Sequence, residues 1–434
     1  LSGQKLIASD FTRLDMQTVK VPQLAWYDTR ELELPLPDDW QVETCYMAGY
    51  NRPELKAGEI RAAIRNPIGT KPLRQLARGK KEAVIVFDDQ TRVTRVAKIV
   101  PHVLEELAEA GIPDKSIRFI CGLGLHGAMC RPDFVKKLGE DVVARFRCFN
   151  HNPFGNCVYV GTTSTFKTRV CINEEYMKCD LRIVIGACVP HTSAGFGGGG
   201  KMIMPGIASY ESINWNHREG GAVSSTPLSP GEKPTQGMGL IDENTLKKDI
   251  DECAEMVGID FLINPIVNLW GESVSVYAGD WKQAYAAAVT EAKTHYRTPR
   301  VQDKDVVLAN CYAKVNEALI SLVTAFPMVS TKGGDIVLIA NAPEGQITHY
   351  LAGPFGRMSF AEQYAPVRIP AHVHQIIVFT EYPHPGASWL EEHEKIVYLS
   401  RWADVLKALQ EFHGAGTRVA VIPDGTNQFF AWYD

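Results

Sequence analysis

Apolar positions in this chain fall into short runs bounded by turn residues, and these runs alternate with stretches of helical period. Ala83–Phe87 (AVIVF) predicts a buried strand ending at Asp88-Asp89. Val96–Ala110 (VAKIVPHVLEELAEA) predicts a helix stopped by Gly111-Ile112-Pro113. Ser116–Cys121 and Leu181–Ala187 continue as strands. A second series follows Val267, with strands at Asp305–Ala309, Asp335–Ala340, Gln375–Thr380 and Arg418–Ile422 and helices at Asn316–Ala325 and Trp402–Phe412. Strands that are apolar throughout and separated by helices indicate an α/β protein. The expectation is two Rossmann-like domains with mostly parallel sheets, facing each other across a cleft. The boundary is expected near Gly271–Tyr277. That gives an N-terminal domain, 1–272, with the chemically capable loops and a C-terminal domain, 278–434, that closes the cleft, its last strand free to return to the first domain. Segment 218–245, rich in Gly, Ser, Pro and Thr, reads as a long polar loop.

Composition narrows the function classes without choosing one. A length of 434 residues, 45% hydrophobic, suits two or three domains. Forty-five Lys and Arg against fifty Asp and Glu leave a formal charge of −5, which argues against a nucleic-acid partner. No apolar run approaches the roughly 18 residues of a membrane span. The opening Leu1-Ser2-Gly3-Gln4-Lys5 lacks the cationic-then-apolar pattern of a secretory leader. None of the ten cysteines forms a Cys-x-x-Cys pair, so they are expected as reduced core thiols in a soluble, cytoplasmic protein.

In open parallel sheets, ligands collect where loops leave the carboxyl ends of strands. Three such exits carry reactive residues. Asp89-Gln90-Thr91-Arg92 follows the first strand, where it could grip a phosphate or carboxylate or simply cap the next helix. His126 lies in Gly122-Leu123-Gly124-Leu125-His126. The third exit, Pro190-His191 through Gly200-Lys201-Met202, holds five glycines between 195 and 200. Gly195-x4-Gly200-Lys201 matches a Walker phosphate loop except that Met202 stands where Mg²⁺ binding requires Ser or Thr, so an ordinary ATP or GTP site is disfavoured. His217 closes Ile213-Asn214-Trp215-Asn216-His217. Imidazoles can exchange protons near neutrality or ligate nickel, zinc or copper. His102, His151, His349 and His413 lack a comparable context and read as structural or surface residues.

Taken in order, these segments resemble the nickel-dependent lactate racemase family. The family's Asp-x-Thr-Arg is met by Asp89–Arg92 and its Gly-x-His by Gly124-Leu125-His126. Its long Pro-His-x-x-Ala-Gly-Phe-x-Gly-Gly-x-Lys-x-Ile-x-Pro-Gly-Ile-Ala stretch is met by Pro190–Ala208, followed by Asn216-His217. Asn66–Gly69 and Gly161-Thr162-Thr163 also look like the family. The resemblance implies a nickel-pincer nucleotide, a pyridinium mononucleotide with two sulfur groups and bound nickel, supplied by separate biosynthetic enzymes. It implies covalent attachment through Lys201, nickel ligation by His217, a nucleotide grip by Asp89, Gln90, Thr91 and Arg92, and His126 and His191 as the acid/base pair. The implied activity is isomerisation: inversion at C2 of a 2-hydroxy acid by proton-coupled hydride transfer.

The chain also departs from the family. Gly127-Ala128 replace an Arg-Pro, Val189 replaces a Glu, and Gly200 replaces an Arg. The substrate-contacting stretch of the second domain is replaced around Ala309–Leu322. These changes point to a racemase or epimerase for a 2-hydroxy acid other than lactate, with Lys314, Asn316, His349 and Tyr350 as candidate substrate contacts. The competing reading is a non-catalytic homologue that keeps the pocket. A nicotinamide-dependent dehydrogenase would need Gly-x-Gly-x-x-Gly after the first strand, where Asp-Asp-Gln-Thr-Arg stands instead.

Overall fold

Strands with no polar face must be covered on both sides, and that requirement organises the molecule. A computed structural model describes residues 15–27, 30–225, 232–351, 368–383 and 393–430. It contains two six-stranded sheets. The first runs Ser273–Gly279, Phe261–Val267, Leu181–Ile185, Ala83–Phe87, Ile117–Cys121, Arg147–Asn150 from edge to edge. Its neighbours are parallel except for the antiparallel pair at the Ser273–Gly279 edge. The second runs Ile396–Leu399, Val373–Phe379, Gly334–Ile339, Val306–Asn310, Arg418–Ile422, Gln41–Thr44 and is parallel throughout. In Ala83–Phe87, Val84 and Val86 enter one core while Ala83, Ile85 and Phe87 enter the other. Val307 and Ala309 likewise oppose Val306 and Leu308 across the second sheet.

Ala83–Phe87 and Arg418–Ile422 have the bounds read from the sequence. Between Val96 and Ala110 the chain starts as a tight 3-10 turn, Val96–Lys98, and becomes α-helical over Val100–Glu109. Pro101 sits in the first turn of that helix, where its missing N–H costs nothing.

Two expectations need correction. Residues 218–225 are not loop: they complete the helix Tyr210–Ser225. Gly220 lets that helix lie close on Thr245–Val257, since a Cβ there would meet Leu246 at 2.8 Å. Of the expected loop, 226–231 lie outside the described residues. Nor does the domain division follow the chain. The hairpin Met16–Gln23 with Arg30–Pro37 presents Val21, Leu32, Leu34 and Leu36 to the second sheet's core, and Gln41–Thr44 pairs beside Arg418–Ile422. A boundary at Gly271–Tyr277 would cut the strand Ser273–Gly279, which belongs to the first sheet together with the helix Trp281–His295. The chain begins in the second sheet, builds the first, and returns after Tyr296. Phe429–Phe430 pairs with Arg297–Thr298 at the junction, one ring in each core. All ten cysteines are free thiols, seven of them buried, while Cys130 is exposed.

A buried ion pair ties the loops of the first sheet together. Asp88 Oδ1 accepts from Lys137 Nζ at 2.6 Å, and Asp88 Oδ2 accepts from Thr94 Oγ1 and from the Ala187 N–H. Lys137 Nζ also donates to the carbonyls of Arg92 and Thr94. Removing one partner strands a charge in the interior, so Lys137→Ala should cost about 3–5 kcal/mol. Urea denaturation should show the double variant Asp88→Asn/Lys137→Met losing less than Lys137→Ala; additive losses would contradict a buried pair.

Candidate active site

Leu181–Ile185, Ala83–Phe87 and Ile117–Cys121 are adjacent in the first sheet, so their exits lie side by side. The second sheet meets them with its own exits, bringing Glu317 after Val306–Asn310 and His349 after Gly334–Ile339. One cavity is lined by Asp89, Thr91, Arg92, His126, His191, Lys201 and His217 from the first group and by Glu317 and His349 from the second. Gln90 is the expected site residue that does not line it; its carbonyl accepts from the Trp26 indole at 2.9 Å.

His126 is held between two carboxylates. Its Nδ1 lies 2.6 Å from Asp89 Oδ2 and its Nε2 3.3 Å from Glu317 Oε1. Burial alone would lower its pKa, but Asp89 and Glu317 outweigh burial and raise it to about 9. The ring is therefore an imidazolium at neutral pH. Burial works against the ionised form of Asp89 too, and the nearby His126 and Arg92 hold it ionised. Glu317 is kept ionised in the same way, well below its ordinary value, by Arg92 and His126. Thr91 donates to Asp89 Oδ1 through both N–H and hydroxyl, and Arg92 ion-pairs with Glu317. The expected anion grip at Asp89–Arg92 is thus, in this geometry, an internal network built around His126.

The other three histidines of the cavity are neutral. His191 Nδ1 accepts from the N–H groups of Ser193 at 3.2 Å and Ala194 at 3.1 Å, which leaves its proton on Nε2. Burial, with the charges of Lys201, Arg92 and Lys314, pushes its pKa well below the ordinary value. His349 Nδ1 accepts from the Leu351 N–H, and its ring lies 5.2 Å from that of His126. Burial takes its pKa down to about 3. His217 is carried on the helix Tyr210–Ser225, which Asn216 anchors by donating to buried Asp249 at 2.8 Å. The His217 ring is buried with only the Ile213 backbone, one helical turn back, as a hydrogen-bonding neighbour, and burial, then Lys201, takes its pKa down to about 3.

Lys201 sits on the 3-10 turn Gly199–Met202. Burial, with Arg92 and Lys247, lowers its pKa to about 7, and it makes no ion pair among the described residues. About half of this amine is uncharged near neutrality, the form that can act as a nucleophile. The glycines around it mostly serve packing. Gly198 has φ +70, and a Cβ there would lie 2.6 Å from Asn264 Nδ2; Gly199 has φ +51, and its Cβ would strike the Tyr285 ring. Only Gly197 and Gly198 of the five line the cavity. The loop's glycines therefore seat Lys201 on the fold more than they make room for a ligand.

Of the second-sheet candidates, only His349 lines the cavity. Lys314 is buried and bonded to backbone carbonyls, the Asn316 backbone carbonyl accepts from the Ile347 N–H, and the Tyr350 ring meets Phe154 edge-on. Glu317 was missed. It follows a strand of the second sheet, where the strand-exit rule would have found it.

The comparisons with known proteins bear on the fold that carries this cavity. Residues 27–226 match the lactate racemase N-terminal domain. The lactate racemase of Lactiplantibacillus plantarum is 27% identical over 325 residues, 74% of each chain. That of Thermoanaerobacterium thermosaccharolyticum is 26% identical over 344 residues, 76% of each. The solved lactate racemase apoprotein from the latter organism superposes with a TM-score of 0.72 at 21% identity, covering 95% of this chain and all of that one. A solved Thermotoga maritima protein shares the fold at a TM-score of 0.63 and 18% identity, covering 88% of this chain and 99% of that one. Over residues 27–226 the chain thus matches the lactate racemase N-terminal domain, and over about three quarters of its length it is similar to lactate racemases.

Proposed function

We propose that this chain inverts C2 of a 2-hydroxy acid other than lactate, using a nickel-pincer nucleotide held in the cavity described above. Similarity to lactate racemases supports a racemase or epimerase function in general. The observation that carries the finer reading is the pairing of a Lys201 amine brought close to neutrality with a buried, neutral His217 in the cavity that also holds His126 and His191. Among the described residues, no group of three or more His, Cys, Asp or Glu side chains is set to hold a metal ion. A metal at His217 would thus take its other ligands from the group that carries it, which suits a nickel bound through sulfur. Lys201 would hold that group covalently, and His217 would ligate the metal. Bound there, the group would supply a reversible hydride acceptor.

The chain's own residues would manage the proton and the substrate. Removing a proton from C2 beside an ionised carboxylate is very unfavourable, so the useful proton transfer is at the hydroxyl. His126 keeps its Nδ1–H on Asp89, which fixes the ring and leaves Nε2 as the reacting nitrogen. With Glu317 on Nε2 it is an acid. A substrate hydroxyl in place of Glu317 removes one of the two carboxylates that raise its pKa, and the ring becomes able to take the hydroxyl proton. Arg92, released from Glu317 by the same displacement, can pair with the substrate carboxylate. His191 presents Nε2–H from a different strand exit and can hold the C2 oxygen there; to take a hydroxyl proton it would first hand that ring proton to the substrate side, leaving Nε2 open as the base. A group on each side is needed because the hydroxyl points in opposite directions in the two epimers.

Cofactor-loaded protein should invert at least one acid in a panel of 2-hydroxy and aldonic acids, read by chiral chromatography. His126→Ala and His191→Ala should each lower that rate about 100- to 10,000-fold while nickel content is retained. Full activity in either variant would remove it from the assignment. Lys201→Ala should lose the covalent adduct by intact mass, and an unchanged adduct would refute the attachment. Stability has a pH signature as well. Folding raises the His126 pKa from 6.5 to about 9, so its contribution is full below pH 6.5 and is lost as pH rises through 9. The thermal midpoint should fall over that interval, and fall less in His126→Gln; equal slopes would contradict a buried imidazolium.

A further inference from the structure

We propose that Lys314 is a positioning residue that sets the place of His191 by reaching from the second sheet's loops to the carbonyl of Pro190. Lys314 is 2% exposed and does not line the cavity. Its Nζ donates to Pro190 O at 3.0 Å and to Thr426 O at 2.9 Å. Pro190 immediately precedes His191 and pairs with Phe196 across the small hairpin that carries the imidazole.

The base of this strap is rigid. Lys314 breaks the regular 3-10 turn Tyr312–Glu317 with φ −124 and ψ 46. Its N–H donates to Thr426 Oγ1, and the neighbouring Ala313 N–H donates to Asp424 Oδ1. Asp424 Oδ1 also accepts from the Thr426 N–H and hydroxyl, so the 424–426 turn and the 313–314 backbone form one unit. The far end of the His191 hairpin is fixed from its own side, where Asn244 Nδ2 donates to Ser193 O at 2.7 Å. His191 is therefore held at Ser193 by the first sheet's helices and at Pro190 by the second sheet. Burying this lysine head, whose pKa burial lowers to about 7, costs free energy that its stem alone would not repay. That cost is consistent with a contact kept for geometry. The importance of His191 to turnover rests on the function proposed above, but its placement can be read without turnover.

The test measures exchange of the imidazole C2 hydrogen for deuterium, histidine by histidine, by peptide mass spectrometry on the whole chain. In the wild type, His191 is half-buried, neutral and held at both ends of its hairpin, and should exchange slowly. Lys314→Met keeps the stem and removes the donors; it should speed exchange at His191 at least threefold while His151 and His295 keep their rates. Lys314→Arg, which restores donors, should return His191 toward the wild-type rate. If Lys314→Met does not fold, Lys314→Gln, too short to reach Pro190, is read the same way. An unchanged His191 rate, or equal acceleration at His151 and His295, would overturn the proposal. A His191-specific change in a protein without racemase activity would sustain the strap and reject the function.

Discussion

The three loops of the first sheet that line the cavity are each hydrogen-bonded by segments from beyond that sheet. The Asp88–Arg95 loop is held by Trp26, whose indole donates to Gln90 O, and by Ala25, whose carbonyl accepts from Arg95. The His126 loop is held by two backbone bonds, Gly127 N–H to Thr348 O and Tyr350 N–H to Leu125 O. The His191 loop is held by Lys314. Each bond is worth only about 0.5–1.5 kcal/mol net, so no single one decides overall stability. Their effect is geometric. Three loops with few internal constraints become a fixed set of side chains, which is what a reaction requiring aligned partners needs.

The same junction sorts charge. Asp89, Glu317, Arg92 and His126 form a compact buried group in which two carboxylates face two cations. Next to it, His191, His217 and His349 are kept neutral by burial and nearby positive charge, and Lys201 is brought close to neutrality. Four histidines in one cavity are thus divided between one charged ring and three uncharged ones. That division separates a proton donor from candidate ligands and hydrogen-bond donors, and composition alone could not have supplied it.

The parts legible in the sequence were those fixed by local pattern. Ala83–Phe87 and Arg418–Ile422 were readable because burial on both faces leaves an unbroken apolar run between turn residues. The residues at three strand exits were readable because topology sends those exits to one edge. The N-terminal hairpin was not, because Leu32, Leu34 and Leu36 alternate correctly for a strand but nothing in the period names the sheet they cover. Glu317 lies at a strand exit but in a 3-10 turn with no motif, so the exit rule could mark its place while its role appears only through Arg92 and His126 on the opposite sheet. The glycine run was noticed for the right reason, close approach, but its neighbours are mainly Asn264, Tyr285 and the helix Thr245–Val257.

If C2 is inverted by the proposed hydride transfer, its hydrogen stays in the site and is never surrendered to water. Cofactor-loaded protein, incubated with an epimerisable 2-hydroxy acid in D₂O and followed by NMR and mass spectrometry, tests it directly. The account predicts the opposite C2 epimer with protium retained at C2. Deuterium incorporated at C2 in step with inversion would contradict it.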